Sequence, residues 1–288
     1  MTWLPLVLLS ILAGLESSAP PDSSLPVQPT PVDATAAQAT RGAVIAVGGG
    51  SIPTEVRDRI LELSGARQQL LLVIPFASRR EGAGERGAAA WRKAGATRVE
   101  VISDDLGAAT DQIEGASLIW LGGGSQNRLL EELKTRQLFA LIQKRNEEGL
   151  TIAGSSAGAA ILSSPMITGE ADLETIRSGK TVVTEALGLC PGFLVDQHFL
   201  ARRRNNRLIS AVLDRPELVG VGIDEGTAAI FRAGTIEVVG SGLVLLYDAR
   251  KATRESVEEG ALHAAREIHL HVMRAGSPIW SLDQKRSP

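Results

Sequence analysis

The sequence predicts an α/β fold, a mostly parallel sheet covered by helices on both faces. Three observations predict it. From Arg41 onward, apolar runs of strand length alternate with helix-like segments, the pattern of a parallel sheet with right-handed crossovers. Three of those runs end in small-residue turns, after Val47, Leu121 and Ala153, where such sheets place their ligands. Beyond residue 216 the chain becomes strand-rich, which reads as antiparallel hairpins extending the same sheet.

In order, Ala43–Val47 is a first strand ending in Gly48-Gly49-Gly50. Pro53 to Leu63 follows as a helix, with Pro53 suited to a first turn. Leu70–Ile74 is a second strand, trailed by a small-residue helix through Trp91. Val99–Ile102 and Ser117–Leu121 are the third and fourth, the latter ending in Gly122-Gly123-Gly124. Leu129 to Asn146 reads as mostly helical, and Leu150–Ala153 runs into the third turn. Leu218–Ile223, Thr227–Phe231, Thr235–Val239, Leu243–Tyr247 and Glu267–Val272 are the later strands. Gly48–Gly50 lacks the Gly-x-Gly-x-x-Gly spacing of a dinucleotide fingerprint and is followed by Pro53, so it reads as a tight turn beside an active site.

Composition narrows the function. The chain has 288 residues, 44% hydrophobic and 22% charged, enough to bury a real core. A net charge of −3 and 3% aromatic residues argue against nucleic acid as a partner. Cys190 is the only cysteine, which excludes an intramolecular disulfide and a cysteine-rich zinc site. It reads as a small buried hydrophobe.

Leu4 to Leu15 is an apolar run short for a membrane span and suited to a signal peptide. No Lys or Arg precedes Arg41, so only the N-terminal amine supplies positive charge there. The expectation is a signal peptide over residues 1–20, a Pro/Ser/Ala-rich spacer over 21–40 and one folded domain over 41–288. The protein is then secreted or periplasmic, without stable membrane insertion.

The most specific segment is Gly154-Ser155-Ser156-Ala157-Gly158. A strand that stops at a serine between glycines has the form of a nucleophile elbow, with the hydroxyl exposed at the strand tip. A helix starting there aims its N-terminal amides at a developing oxyanion. A serine nucleophile needs a base, and the chain has four histidines. His263, His269 and His271 lie near the C-terminus; the last two alternate along a strand with no convincing third metal ligand and read as a solvated face. His198 stands in Val195-Asp196-Gln197-His198-Phe199, just before Arg202-Arg203-Arg204 and Arg207. Four arginines in one helical stretch either solvate a face or grip substrate carboxylates.

The orienting acid is Asp224 or Glu225, in Gly222-Ile223-Asp224-Glu225-Gly226. Adjacent acids at a strand end point to opposite faces, so only one reaches the histidine, and spacing does not choose between them. An acid after the histidine departs from the Ser-acid-His order of esterases, which Asp172 or Glu185 would restore.

Four motifs in sequence, Leu121-Gly122-Gly123-Gly124-Ser125-Gln126, the elbow, Asp196-Gln197-His198-Phe199 with the arginines, and Gly222-Ile223-Asp224-Glu225, together resemble the cyanophycinases. These are serine exopeptidases of family S51, related to aspartyl dipeptidase. The resemblance runs from about Ala43 to Ser281. It implies a class I glutamine amidotransferase-like, flavodoxin-like three-layer sandwich. It further implies Ser156 as nucleophile, His198 as base and Glu225 as third member. The oxyanion donors would be Ala157 with Gly123 or Gly124, and Gln126, Asp196, Gln197, Arg202, Arg204 and Arg207 would line the substrate pocket. The implied reaction is release of β-Asp-Arg dipeptides from cyanophycin, with no metal or organic cofactor, by a homodimer. The alternatives are an aspartyl or isoaspartyl dipeptidase and a non-catalytic binder of charged peptides. Ser125 stands where cyanophycinases often carry Asp, and Ser155 where Thr is usual.

Overall fold

The computed structural model describes residues 41–283; the expected signal peptide and spacer lie outside the described residues. In chain order the elements are β1 (Val44–Val47), α1 (Thr54–Ser64), β2 (Leu70–Ile74), α2 (Ala83–Lys93), β3 (Arg98–Val101), α3 (Leu106–Gly115) and β4 (Leu118–Leu121). Then come α4 (Gln126–Thr135), α5 (Phe139–Glu147), β5 (Thr151–Ser155), the single turn α6 (Ala157–Ala160), β6 (Met166–Ala171), β7 (Thr181–Thr184) and β8 (Phe193–Gln197). The chain continues through α7 (Asn205–Asp214), β9 (Val219–Ile223), β10 (Thr227–Arg232), β11 (Thr235–Gly240), β12 (Val244–Asp248), β13 (Thr253–Arg254), β14 (Ala265–Arg266), β15 (His269–Met273) and β16 (Trp280–Ser281).

The central sheet has eight strands in the order β16-β11-β10-β1-β5-β4-β2-β3. Its core of β1, β5, β4, β2 and β3 is parallel, and β10, β11 and β16 add antiparallel strands beside β1. β1, β2, β4 and β5 are buried along their whole length, which is why they read as continuous apolar runs. Alternate residues serve opposite faces. Ile45, Val73 and Trp120 pack with Val56 and Ile60 of α1 and Trp91 of α2. Val44, Leu72 and Ile119 pack with Ile113 of α3, Leu129 of α4 and Ile142 of α5. β3 closes the sheet with Arg98 and Glu100 exposed, charges that protect an edge.

Three features differ from the sequence reading. The stretch over 129–146 is two helices, separated at Gln137, whose φ of 58° leaves the helical region. α3 was not anticipated; its sequence Leu-Gly-Ala-Ala-Thr-Asp-Gln-Ile-Glu-Gly has little apolar periodicity, and the Asp105 side chain starts it by accepting from the Ala108 amide at 2.9 Å. The later strands do not all extend one sheet. β9 leaves to pair with β8 in parallel and with β12 antiparallel, forming a second sheet in the order β15-β12-β9-β8. The chain therefore changes sheets between β9 and β10, at Asp224-Glu225-Gly226, where Gly226 takes a φ of 67°. Helix α7 covers this second sheet, packing Leu208 and Val212 with Leu194, Phe199 and Leu245.

Among the described residues no helix is long and apolar enough to cross a membrane. Cys190 is buried at 2% exposure, and that burial pushes its thiol up to about 12. A thiol reagent at pH 8 is expected to leave Cys190 unlabelled in native protein and to label it stoichiometrically in denaturant; rapid native labelling would contradict its placement in the core.

Candidate active site

Ser156 caps β5 with φ 56° and ψ −113°. An L-residue holds such a conformation only when its neighbours enforce it. The flanking glycines do so: a Cβ on Gly154 would lie 2.2 Å from the Gly158 carbonyl oxygen, and one on Gly158 would lie 2.1 Å from that of Leu121. The Gly-x-Ser-x-Gly spacing is thus a steric requirement of this turn, and it leaves Ser156 half-buried at the sheet's carboxyl edge.

His198 follows β8, also at positive φ, 47°. Its Nε2 lies 2.9 Å from Ser156 Oγ and its Nδ1 lies 2.5 Å from Glu225 Oε1. The two adjacent acids point apart. Asp224 Oδ1 accepts from the Ala201 amide at 3.1 Å, which ties the arginine-bearing turn to the end of β9. The structure therefore brings Glu225, and not Asp224, to the imidazole.

The turn leaving β1 holds all three loops together. The carbonyls of Val47, Gly48 and Gly49 accept from the amides of Ser156 at 3.0 Å, His198 at 2.7 Å and Gly226 at 3.0 Å. Side chains are excluded from this turn by the site itself. A Cβ on Gly49 would fall 2.3 Å from His198 Cε1, and one on Gly50 would fall 2.8 Å from Glu225 Oε2. The sequence reading placed this turn beside a site without seeing that it touches the histidine and the glutamate. The signal was the triple glycine itself, more glycine than a turn needs.

Burial lowers the pKa of His198, with Arg202 and Arg204 acting in the same sense; the hydrogen bond and charge of Glu225 oppose them. The imidazole is accordingly neutral at neutral pH. With Nδ1–H donating to Glu225, Nε2 is left with a lone pair to accept the Ser156 hydroxyl proton, an arrangement suited to general-base activation of a serine. On the other side of Ser156, a Cβ on Gly123 would lie 3.5 Å from Ser156 Cβ, so the turn after β4 lies against the serine. Gly124, at φ 148°, is pressed onto Ala77, and Ala157 opens α6 directly after the serine.

The expected pocket residues divide into two groups. Asp196 and Arg207, 1% and 2% exposed, bond to each other: Arg207 Nε donates to Asp196 Oδ2 at 2.7 Å and Nη2 donates to Oδ1. A carboxylate buried here needs the guanidinium as its partner; the expectation that the two line the substrate pocket adds contacts beyond this pair. Arg204 donates to the Gln197 carbonyl at 2.6 Å and to its Oε1 at 2.7 Å. Burial and the neighbouring Arg207 lower it to about 10, against the opposing pull of Asp196. Gln126 opens α4 and donates to the Ile167 carbonyl at 3.1 Å. Arg202 is exposed. The arginines do not share one helix: Arg202 and Arg203 sit in a turn, Arg204 precedes α7, and Arg207 lies within it.

Of the remaining histidines, His263 Nε2 lies 3.1 Å from Asp214 Oδ1, and the His271 ring packs 5.7 Å from Trp280. Among the described residues no three His, Cys, Asp or Glu side chains gather to hold a metal ion.

Comparison with known proteins gives the family. The family model Peptidase family S51 matches residues 42–239. A cyanophycinase from Trichormus variabilis is 34% identical over 254 residues, 83% of this chain and 85% of its own length. A Peptidase E from Salmonella paratyphi A is 30% identical over 138 residues, 45% of this chain and 56% of its own. The crystal structure of a peptidase from an acI-B1 Actinobacterium superposes with a TM-score of 0.59 at 21% identity, covering 84% of this chain and 97% of that one; at that identity it shows the shared fold. The chain belongs to peptidase family S51 and is a serine-type peptidase.

Proposed function

We propose that this peptidase hydrolyses cyanophycin, a poly-aspartate backbone with arginine on each β-carboxyl group, and releases β-Asp-Arg dipeptides. The observation that carries the mechanism is the continuous contact from Ser156 Oγ through the His198 ring to Glu225, 2.9 and 2.5 Å long. The substrate reading is supported by similarity to cyanophycinases over 83% of the chain. The Peptidase E relative, matched over 45% of the chain, supports an aspartyl or isoaspartyl dipeptidase less well.

In this reading Ser156 Oγ attacks the backbone carbonyl carbon while His198 Nε2 takes its proton. Glu225 accepts from Nδ1–H throughout and favours the imidazolium that forms. The carbonyl oxygen, now negative, is held by the Ala157 amide and an amide of Gly123 or Gly124; one such donor is worth about 3 kcal/mol in comparable enzymes. Collapse of the intermediate breaks the C–N bond, and the departing amine takes the proton from Nε2. Water then attacks the acyl-enzyme, giving its proton to His198, and Ser156 regains its hydrogen as the carboxylic acid leaves. Arg202 offers an exposed cation for a substrate carboxylate beside this centre. Secretion and a homodimer, expected from the leader and the resemblance, complete the proposal.

Ser156→Ala is expected to abolish release of β-Asp-Arg from cyanophycin, with polymer binding retained; a fully active variant would remove the serine mechanism. Wild-type enzyme that leaves the polymer intact while clearing Asp-X or isoaspartyl dipeptides would favour the dipeptidase. Failure of folded protein to take a serine-directed covalent label at Ser156 would favour a binder. The lowered His198 pKa predicts a pH dependence with a definite sign. Activity needs the neutral ring, so kcat/KM should rise with pH through a midpoint below the ordinary histidine value of about 6.5. A midpoint above that value would show that Glu225 outweighs burial.

A further inference from the structure

The strand order places two charged regions on opposite sides of Ser156. β5 carries the serine, with β1 on one side and β4 then β2 on the other. His198, Glu225 and the arginine turn are held on the β1 side through the carbonyls of Gly48 and Gly49. The turns after β4 and β2 meet on the far side, where the Ser125 amide donates to the Ala77 carbonyl at 3.0 Å and Arg128 Nε donates to that of Phe76 at 3.0 Å. There a cleft of about 520 Å³ opens, lined by Arg79, Ser125, Asn127, Arg128, Glu131 and Glu132 among others.

The charges in this cleft are not equivalent. Arg128 Nη2 lies 3.2 Å from Glu132 Oε1, and Glu132 Oε2 also accepts from Arg136 at 3.1 Å. These groups neutralise each other. Arg79 and Glu131 are exposed, and among the described residues neither has an ion-pair partner. One free cation and one free anion therefore face a shared space next to the turn that touches the serine.

We infer that this cleft is a second substrate subsite, which takes the arginyl branch of the leaving unit of the polymer, across the scissile bond from the acyl unit at the arginine turn. The inference rests on the cyanophycin reading and deepens it. Each branch carries one carboxylate and one guanidinium, so Arg79 meets the carboxylate and Glu131 the guanidinium, the second as a carboxylate–guanidinium pair. The rim of the cleft is near the serine: Ser125, which lines it, is two residues beyond Gly123, at most about 7 Å of chain. A uniformly basic or acidic cleft would repel one end of such a branch; this one matches both.

The test compares two substrates on the full-length enzyme. One is cyanophycin. The other is a single β-Asp-Arg unit whose aspartyl α-carboxyl is a p-nitroanilide, which cannot fill both sides of Ser156. Arg79→Ala and Glu131→Ala, both surface changes, are each expected to raise KM for the polymer by about two- to fivefold, the worth of one exposed ion pair. kcat should be unchanged, both constants for the anilide should stay at wild-type values, and the polymer effect should fade near 0.5 M salt. Unchanged polymer KM in both variants, or equal losses on both substrates, would overturn the subsite while leaving the cyanophycin reading intact. Wild-type enzyme inert toward the polymer overturns that reading, and the subsite with it.

Discussion

Three consecutive carbonyls, those of Val47, Gly48 and Gly49, organise the candidate active site. Each accepts a hydrogen bond from a different loop, the ones that carry Ser156, His198 and Glu225. These loops are distant in sequence and come from two different sheets. One hydrogen bond contributes only about 1 kcal/mol net, but three from one rigid turn fix the relative positions of the loops as well as their stability. The turn can approach so closely because it has no side chains. The imidazole and the glutamate occupy the space where the Cβ atoms of residues 49 and 50 would be.

The second requirement is electrostatic. The His198 ring is 9% exposed whereas Glu225 is 43% exposed, so the imidazole lies in a drier place than its partner. Burial and the arginines lower its proton affinity, and Glu225 restores part of it. The balance leaves the imidazole neutral at neutral pH, with the Glu225 carboxylate in contact with it. Beneath it, Asp196 and Arg207 neutralise each other, and Arg204 braces Gln197. Breaking such a buried pair from one side costs about 3–5 kcal/mol, so these residues shape the floor of the site through packing as much as through charge.

Much of this was legible in the sequence because the decisive constraints are local. Gly154 and Gly158 mark the elbow, since a Cβ on the first would strike the backbone of Gly158 and one on the second that of Leu121. The buried strands β1, β2, β4 and β5 announce themselves as apolar runs. What the sequence did not reveal depends on pairing between distant segments. The change of sheet at Asp224–Gly226 requires knowing that β9 pairs with β8. The choice of Glu225 over Asp224 depends on the Ala201 amide, which holds the latter. The mutual pairing of Asp196 and Arg207 is likewise invisible in spacing, because both residue types also suit a charged substrate.

The most direct test is Gly49→Ala, read by kinetics together with the NMR titration of His198. A methyl group at this position meets the imidazole ring and a backbone φ of 108° that alanine resists. The account predicts a folded protein whose kcat falls by on the order of 10²-fold, as expected for a misplacement of about 1 Å, with a shifted His198 titration. Wild-type kcat and an unmoved titration in that variant would contradict it.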